Sequence, residues 1–427
     1  MKESAMKIKQ TQWVKLDKAA RIFPCISSKR DPNVFRFACE LMDPVEPNFL
    51  QRAVDQTLEE FPLWGSVLKR GLFWYFLESS SLKPKVQPET KAPCAPIYDR
   101  DVRKLLFEVT YYHNRINLEV YHVLTDGTGA LQFFRSLVTC YLYLRYQDIE
   151  EIPNLGYDAS QFEQAADSFQ KYYGKQCSQK PPKAPKAYQL RGGKNPDNRF
   201  SVIEGTVPLD QMLFCCKEKK VSLTVMLASI LMNAIGMEMS HKDKKRPVVL
   251  SVPINLRHYF PSESARNFFS LMNVRYNFSS KNGNVEEILG SLKEQFKKGL
   301  SEDEMIYRVN QFMTILQNPI TRITILPVKN FFMRLGYQVA SKNETADISN
   351  LGPIDLPEKA ASHVKMFDVF ASKDGLQLCL CSFKNVLTMT FTSSLRNTNI
   401  QKNFFRTLAL MGLPVTIAAV PFSQEEL

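Results

Sequence analysis

Apolar residues recur along this chain in two rhythms, and the points where one gives way to the other mark its elements. In "INLEVYH" positions alternate, so Ile116, Leu118, Val120 and His122 share one face of a predicted strand. Beyond a short polar turn, "ALQFFRSLVTCYLYL" carries apolar residues at 130, 131, 134, 137, 138 and 141, the stripe of an amphipathic helix that runs out near Tyr146. A histidine therefore ends an apolar row where strand turns into helix.

The same reading divides the rest. "NVFRFACEL" is a strand, and "EPNFLQRAVDQTLEEFP" is a helix opened by Pro47 in its first turn and stopped by Pro62. Two hairpins follow, one turning near Arg70-Gly71 and one near Asn114-Arg115. From about Ser160 to Asn198 the chain turns polar and proline-rich, so residues 176–198 are expected to link an N-terminal subdomain, 1–175, to a C-terminal one, 199–427. The second part loosely echoes the first. It has a strand "FSVIEGTV", a short helix "LDQMLFCCKEK", a buried helix capped by Ser222, and a β-branched strand "PVVLSVPINL". Helices over "VEEILGSLKEQFKKGL" and "DEMIYRVNQFMTIL" come next, then a strand "ADISNLGPIDLP", a hairpin "GLQLCLCSFKNVLTMTFTSS", a final helix "NIQKNFFRTLALMGL" and the segment "PVTIAAVPF". Hairpins dominate and regular βαβ alternation is missing, so the class is α/β of the α+β kind with antiparallel character. At 427 residues the chain is too long for one ordinary core, and two halves are expected.

Composition changes this picture little. With 44% hydrophobic and 23% charged residues the chain reads as globular rather than disordered. Two stretches resemble membrane spans, "VSLTVMLASILMNAIGMEM" and "TLALMGLPVTIAAVPF". Polar residues in the first, and Gly412 with Pro414 in the second, argue for a buried helix and for a helix followed by a strand, so no transmembrane segment is expected. The N-terminus lacks a signal-peptide core, and nine cysteines without a CxxC pair suit a reducing cytosol and give no support for a metal; a cytoplasmic location is expected. Cys379 and Cys381 share one strand face as small core residues. The net charge of +12 gathers at 217–220, 241–246 and 293–298, as solvated helix ends or as attraction to a polyanion, an acidic carrier protein or coenzyme phosphates. No helix-turn-helix, zinc-finger or RNP pattern is present, so nucleic acid is not an expected partner.

His122 can be a satisfied core histidine or a proton acceptor held in a fixed direction. Asp126, four residues on, can cap the following helix, and Gly127 and Gly129 admit close approaches that larger residues block. His113, His241, His258 and His363 lie in turns, loops or a charge cluster and are left out of the chemistry. There is no Gly-x-Ser-x-Gly elbow and no phosphate-binding glycine loop.

His-x-x-x-Asp-Gly at a strand-to-helix junction resembles the active-site motif of the HxxxDG acyltransferase superfamily. That superfamily includes condensation domains, alcohol acetyltransferases, wax ester synthases and polyketide-associated acyltransferases. Three further stretches share the resemblance: "LDKAARIFP" through "LEEFPLWGSVLKRGLFWYFLE", "SVPINLRHYFPSESARNFF" and "ISNLGPIDLP". It implies two chloramphenicol-acetyltransferase-like subdomains forming a pseudo-dimer with the active site at their interface. It also implies His122 as general base, Asp126 and Gly127 as the rest of the catalytic motif, and Arg257 as structural support through a two-hydrogen-bond grip on Asp126, with Asn350 and Gly352 beside the substrate. The alternatives are Asp126 as a plain helix cap with Arg257 on the surface, and Asn350 with Gly352 as an ordinary turn. Tyr121 stands where condensation domains usually carry a second histidine, which favours a stand-alone acetyltransferase; the Asp-Phe-Gly-Trp-Gly motif of plant-type enzymes is absent. No bound cofactor or metal is expected. Acyl-CoA, or an acyl-phosphopantetheine carrier, would be co-substrate to a small alcohol or amine, with a stand-alone condensation enzyme or a non-catalytic docking module as the alternatives. Two similar halves can build one site between them, so a monomer is expected.

Overall fold

A computed structural model describes residues 13–146, 166–174, 185–279 and 283–419; part of the expected linker, with Cys177, lies outside them. Two mixed layers of sheet and helix carry the chain. In the first, a five-stranded sheet is built around Val34–Leu41 and Arg115–Tyr121, which pair antiparallel. Tyr112 pairs with Arg115, so the hairpin turns at His113-Asn114, one residue earlier than expected, with His113 at φ +49 and the Asn114 amide donating to the Leu41 carbonyl. Helix Pro47–Glu60 buries Leu50, Ala53, Val54 and Thr57 on one stripe and lies against helix Gly127–Arg145. Trp64 stacks on Phe133 of the latter helix at 3.8 Å between ring centres.

The second layer is a seven-stranded sheet, in which Ala346–Pro353 runs parallel to both its neighbours and the other pairings are antiparallel. Helix Leu223–Met237, capped by Ser222, is apolar nearly all round because it packs within this layer's core. Among the described residues no single helix is long and apolar enough to cross a membrane. The other span-like stretch forms helix Asn399–Leu410 and strand Thr416–Ala419.

Three elements of eight or more residues were not anticipated. Strand Phe269–Tyr276 follows the loop after Val248–Asn255 and pairs back on it, helix Leu326–Ala340 occupies a stretch with no assignment, and Val364–Ala371 crosses over to pair with Val34–Leu41 in the first sheet. In Val364–Ala371 the alternation signal fails because both faces are covered, Asp368 being buried and accepting a hydrogen bond from Thr390. Arg115 makes a second tie between the layers, reaching Glu40 at 2.7 Å and Glu204 at 3.0 Å. Residues 187 and 188 of the expected linker are buried, and the Tyr188 N–H donates to the Pro247 carbonyl, so this part of it lies docked on the second layer.

Candidate active site

Strand Arg115–Tyr121 stops because its next N–H, that of His122, turns to the Asn33 carbonyl at 2.9 Å. The half-buried His122 ring stacks on Phe23 with centres 4.4 Å apart and meets the edge of Phe35 at 4.9 Å. Its Nδ1 lies 3.0 Å from Oδ1 of Asn267. The Asn267 amide nitrogen donates to Asp17 Oδ2 and to the His122 carbonyl, each at 3.2 Å. Both of those groups accept, so the amide oxygen must face the ring. The ring then donates from Nδ1 and carries its lone pair on Nε2. Burial pushes the imidazole below its ordinary range, opposed by the Asp126 charge and the Asn267 hydrogen bond.

Asp126 is the N-cap of helix Gly127–Arg145, its Oδ1 accepting from Gly129 N at 3.0 Å. Its Oδ2 accepts from Arg257 Nη1 and from Phe268 N, both at 2.8 Å. The expected two-bond grip is corrected to a single one, because backbone N–H groups occupy the carboxylate's other acceptor positions. The rest of the guanidinium goes to the loop beyond it: Nε and Nη2 donate to the Ser264 carbonyl at 3.1 and 2.8 Å, and Nη2 also to that of Arg266. Asp126 and Arg257 thus lock the segment that carries Asn267 onto the turn that carries His122.

Gly129 permits this approach. A Cβ there would lie 2.1 Å from the Ala265 carbonyl oxygen and 2.2 Å from Thr125 Oγ1, whereas one on Gly127 would meet only the movable Leu351 side chain at 3.0 Å. Gly129→Ala should therefore cost about 1–3 kcal/mol of stability through overpacking against backbone, and Gly127→Ala clearly less. Equal denaturant midpoints for the two variants would contradict this account.

Asn350 and Gly352 flank Leu351, whose side chain lies beside Gly127. The Asn350 amide donates to Thr224 Oγ1 at 3.0 Å and its oxygen accepts from Gly352 N at 2.9 Å, with Gly352 at φ +81. His363 stacks on Tyr146, His113 sits in its hairpin turn, and His241 and His258 are exposed. Among the described residues no group of three or more His, Cys, Asp or Glu side chains could hold a metal ion. Asn267 and Asp17, which orient the ring, were not singled out beforehand, since nothing local in the sequence marks them. Asp17 is held in turn by Arg266 at 3.3 Å, both side chains being almost wholly buried.

Two cavities are lined in part by the segment 13–31, which also carries Asp17 and Phe23; neither is lined by His122, Asp126 or Asn267. One of about 590 Å³ is lined by Trp13, Lys15, Lys18, Arg21, Trp74 and Arg322 among others. Burial and then the Arg21 charge lower the Lys18 ammonium from its ordinary range, as crowded cations do. The other, of about 550 Å³, is lined in part by Ser27, Asp31, Tyr337, Glu344, Asp347 and Lys373. Lys373 pairs with Glu344 and Asp347, each at 2.8 Å, and burial pushes the Asp31 carboxyl up to about 6.

No family model and no curated protein matches the chain. Solved structures do. TRI101 of F. sporotrichioides, complexed with coenzyme A and T-2, superposes with a TM-score of 0.62 at 10% identity, covering 94% of this chain and 99% of that one. Polyketide synthase associated protein 5 from Mycobacterium tuberculosis gives 0.58 at 12% identity, covering 93% and 97%. The first condensation domain of the calcium-dependent antibiotic synthetase, in complex with a substrate analogue, gives 0.59 at 13% identity, covering 93% and 96%. The chain therefore has the two-lobed, chloramphenicol-acetyltransferase-like fold that these structures share.

Proposed function

We propose that this chain is an acyltransferase that moves an acyl group, acetyl being the first to test, from a coenzyme A thioester to an alcohol or amine. The reading is supported above all by one observation, the 3.0 Å contact of His122 Nδ1 with Asn267 Oδ1, which would keep the proton on Nδ1 and leave Nε2 to act as a base. An alcohol is too weak an acid for imidazole to ionise in advance, so Nε2 takes the proton as the acceptor oxygen or nitrogen bonds to the thioester carbonyl. The tetrahedral oxyanion is met by the N–H groups of Gly127 and Thr128, which as the first of a helix have no partner within it. Collapse expels the thiolate, which takes up the proton from His122. Asp126 moves no proton; its oxygens are occupied in holding the turn and Arg257.

Coenzyme phosphates would enter the cation-lined cavity, where Lys15, Lys18, Arg21 and Arg322 converge and the exposed Trp13 offers a face for the adenine. An acyl-phosphopantetheine carrier presents a phosphate to the same cations and is the second reading for the donor. Lobes at 1–175 and 199–427, joined by 176–198, are part of the proposal, with Val364–Ala371 lent to the first sheet. Among the described residues eight cysteines are free and seven of them buried, which supports a cytoplasmic setting.

Thiol release from acetyl-CoA, measured with panels of alcohols and amines, tests the reading. Turnover should require an acceptor, and the acid limb of kcat/KM should lie below the ordinary histidine value of 6.5, because burial lowers the base. The same shift makes the folded protein reject a proton that the unfolded chain binds, so His122's contribution to stability is present above pH 6.5 and is lost as pH falls below it. No release from any CoA donor, with release from an acylated carrier, would favour the second reading; release from neither would leave a docking module.

A further inference from the structure

Helix Leu326–Ala340 touches the core through Leu326, Met333 and Tyr337 but leaves most of its apolar side chains outside. Three of its polar groups face the protein: Lys329 Nζ donates to the Phe73 carbonyl at 2.7 Å and lies 3.3 Å from the Trp74 ring centre, Asn330 donates to the Tyr75 hydroxyl, and Tyr337 donates to Asp31. Its apolar stripe faces solvent. Val328, Phe331, Phe332, Leu335 and Val339 recur at helical spacing, and Phe331, Phe332 and Val339 are 65%, 62% and 60% exposed. The stripe continues at the helix N-terminus into exposed Ile323 and Ile325 and into the hairpin tip, where the Leu72 carbonyl accepts from Leu326 N and Leu72 and Phe73 are exposed. Isolated exposed apolar residues need no explanation, but a contiguous row of this size does.

The charge around the row identifies what covers it. From Met305 to Asn343 there is no Asp or Glu, while exposed Arg322, Arg334 and Lys342 fall in that stretch; Lys329 is turned inward and Arg308 pairs with Glu304. An apolar ridge with cationic surroundings suits the headgroup and acyl boundary of an anionic bilayer. The alternatives fit less well. Two copies meeting symmetrically through this face would bring the same cations together. A folded protein partner would need a groove matched to a convex ridge, whereas a lipid surface yields to one.

We propose that helix Leu326–Ala340, with the Leu72-Phe73 tip, docks the protein on an anionic lipid surface as a peripheral, interfacial helix. Arg322, just before the helix, lines the cation-rich cavity, and Tyr337 lines the other, so docking brings both cavities close to the bilayer.

Co-sedimentation with vesicles tests this without relying on turnover, so its failure leaves the acyltransferase reading standing. The full chain should pellet with vesicles of equal parts phosphatidylglycerol and phosphatidylcholine, and much less with phosphatidylcholine alone. Phe331→Ser with Phe332→Ser should weaken binding by about tenfold or more, with unfolding temperature retained, because both side chains are exposed. Wild type that stays in the supernatant, or a double variant that binds as well as wild type, overturns the proposal. So does a concentration-dependent dimer that the double substitution abolishes, which would assign the face to a second copy.

Discussion

His122→Ala should lower kcat/KM for acyl transfer by about a hundred- to ten-thousandfold, the range a general base contributes. The loss should fall on kcat, because the ring meets its proton only as the acceptor attacks. The variant should still fold: the ring packs on Phe23 and Phe35, while the ties that hold the turn run through Asp126, Arg257 and the His122 backbone. Asn267→Ala in the same assay should fall between wild type and His122→Ala, with KM nearly unchanged, since it frees the ring to put its proton on the wrong nitrogen. Thiol release by His122→Ala at the wild-type rate would remove the histidine from the mechanism.

Asp126→Ala should be the most destabilising single change at the site, by about 3–5 kcal/mol, as expected when one partner of a buried ion pair is removed. The Asp126 and Arg257 side chains are only 6% and 11% exposed. Truncation leaves the guanidinium without its counter-charge and strips the N–H groups of Gly129 and Phe268 of their acceptor. Arg257→Lys keeps the charge but not the links to the Ser264 and Arg266 carbonyls, so it should cost less stability and show its effect chiefly on kcat. Denaturant unfolding of the two variants decides the matter; a loss for Asp126→Ala no greater than that of a surface helix cap, about 1 kcal/mol, would mean the pair carries no load.

The turn and its helix were legible because their causes are local. Alternation to Val120, an Asp that can cap, and an apolar stripe from Ala130 onward lie within one short stretch. Most hairpins and amphipathic helices were legible for the same reason. Val364–Ala371 was not, since its alternation is hidden once both faces are covered and Asp368 finds Thr390 inside. Helix Leu326–Ala340 has a clear apolar stripe, but sequence periodicity does not say whether a stripe faces the core or the solvent; Lys329 and Tyr337 turn inward only because Phe73, Trp74 and Asp31 wait there.

Within the site the division is sharper. Sequence alone named His122, Asp126, Gly127 and, through the resemblance, Arg257. Tertiary structure decided how they are used: that Arg257 gives Asp126 one hydrogen bond and spends the rest on the loop, and that Asn267 holds the ring. It also decided that Asn350 turns to Thr224. A residue's chemistry and its near neighbours are written along the chain, but hydrogen bonds compete in space, and which donor reaches a given oxygen is settled only when segments 142 residues apart are packed together.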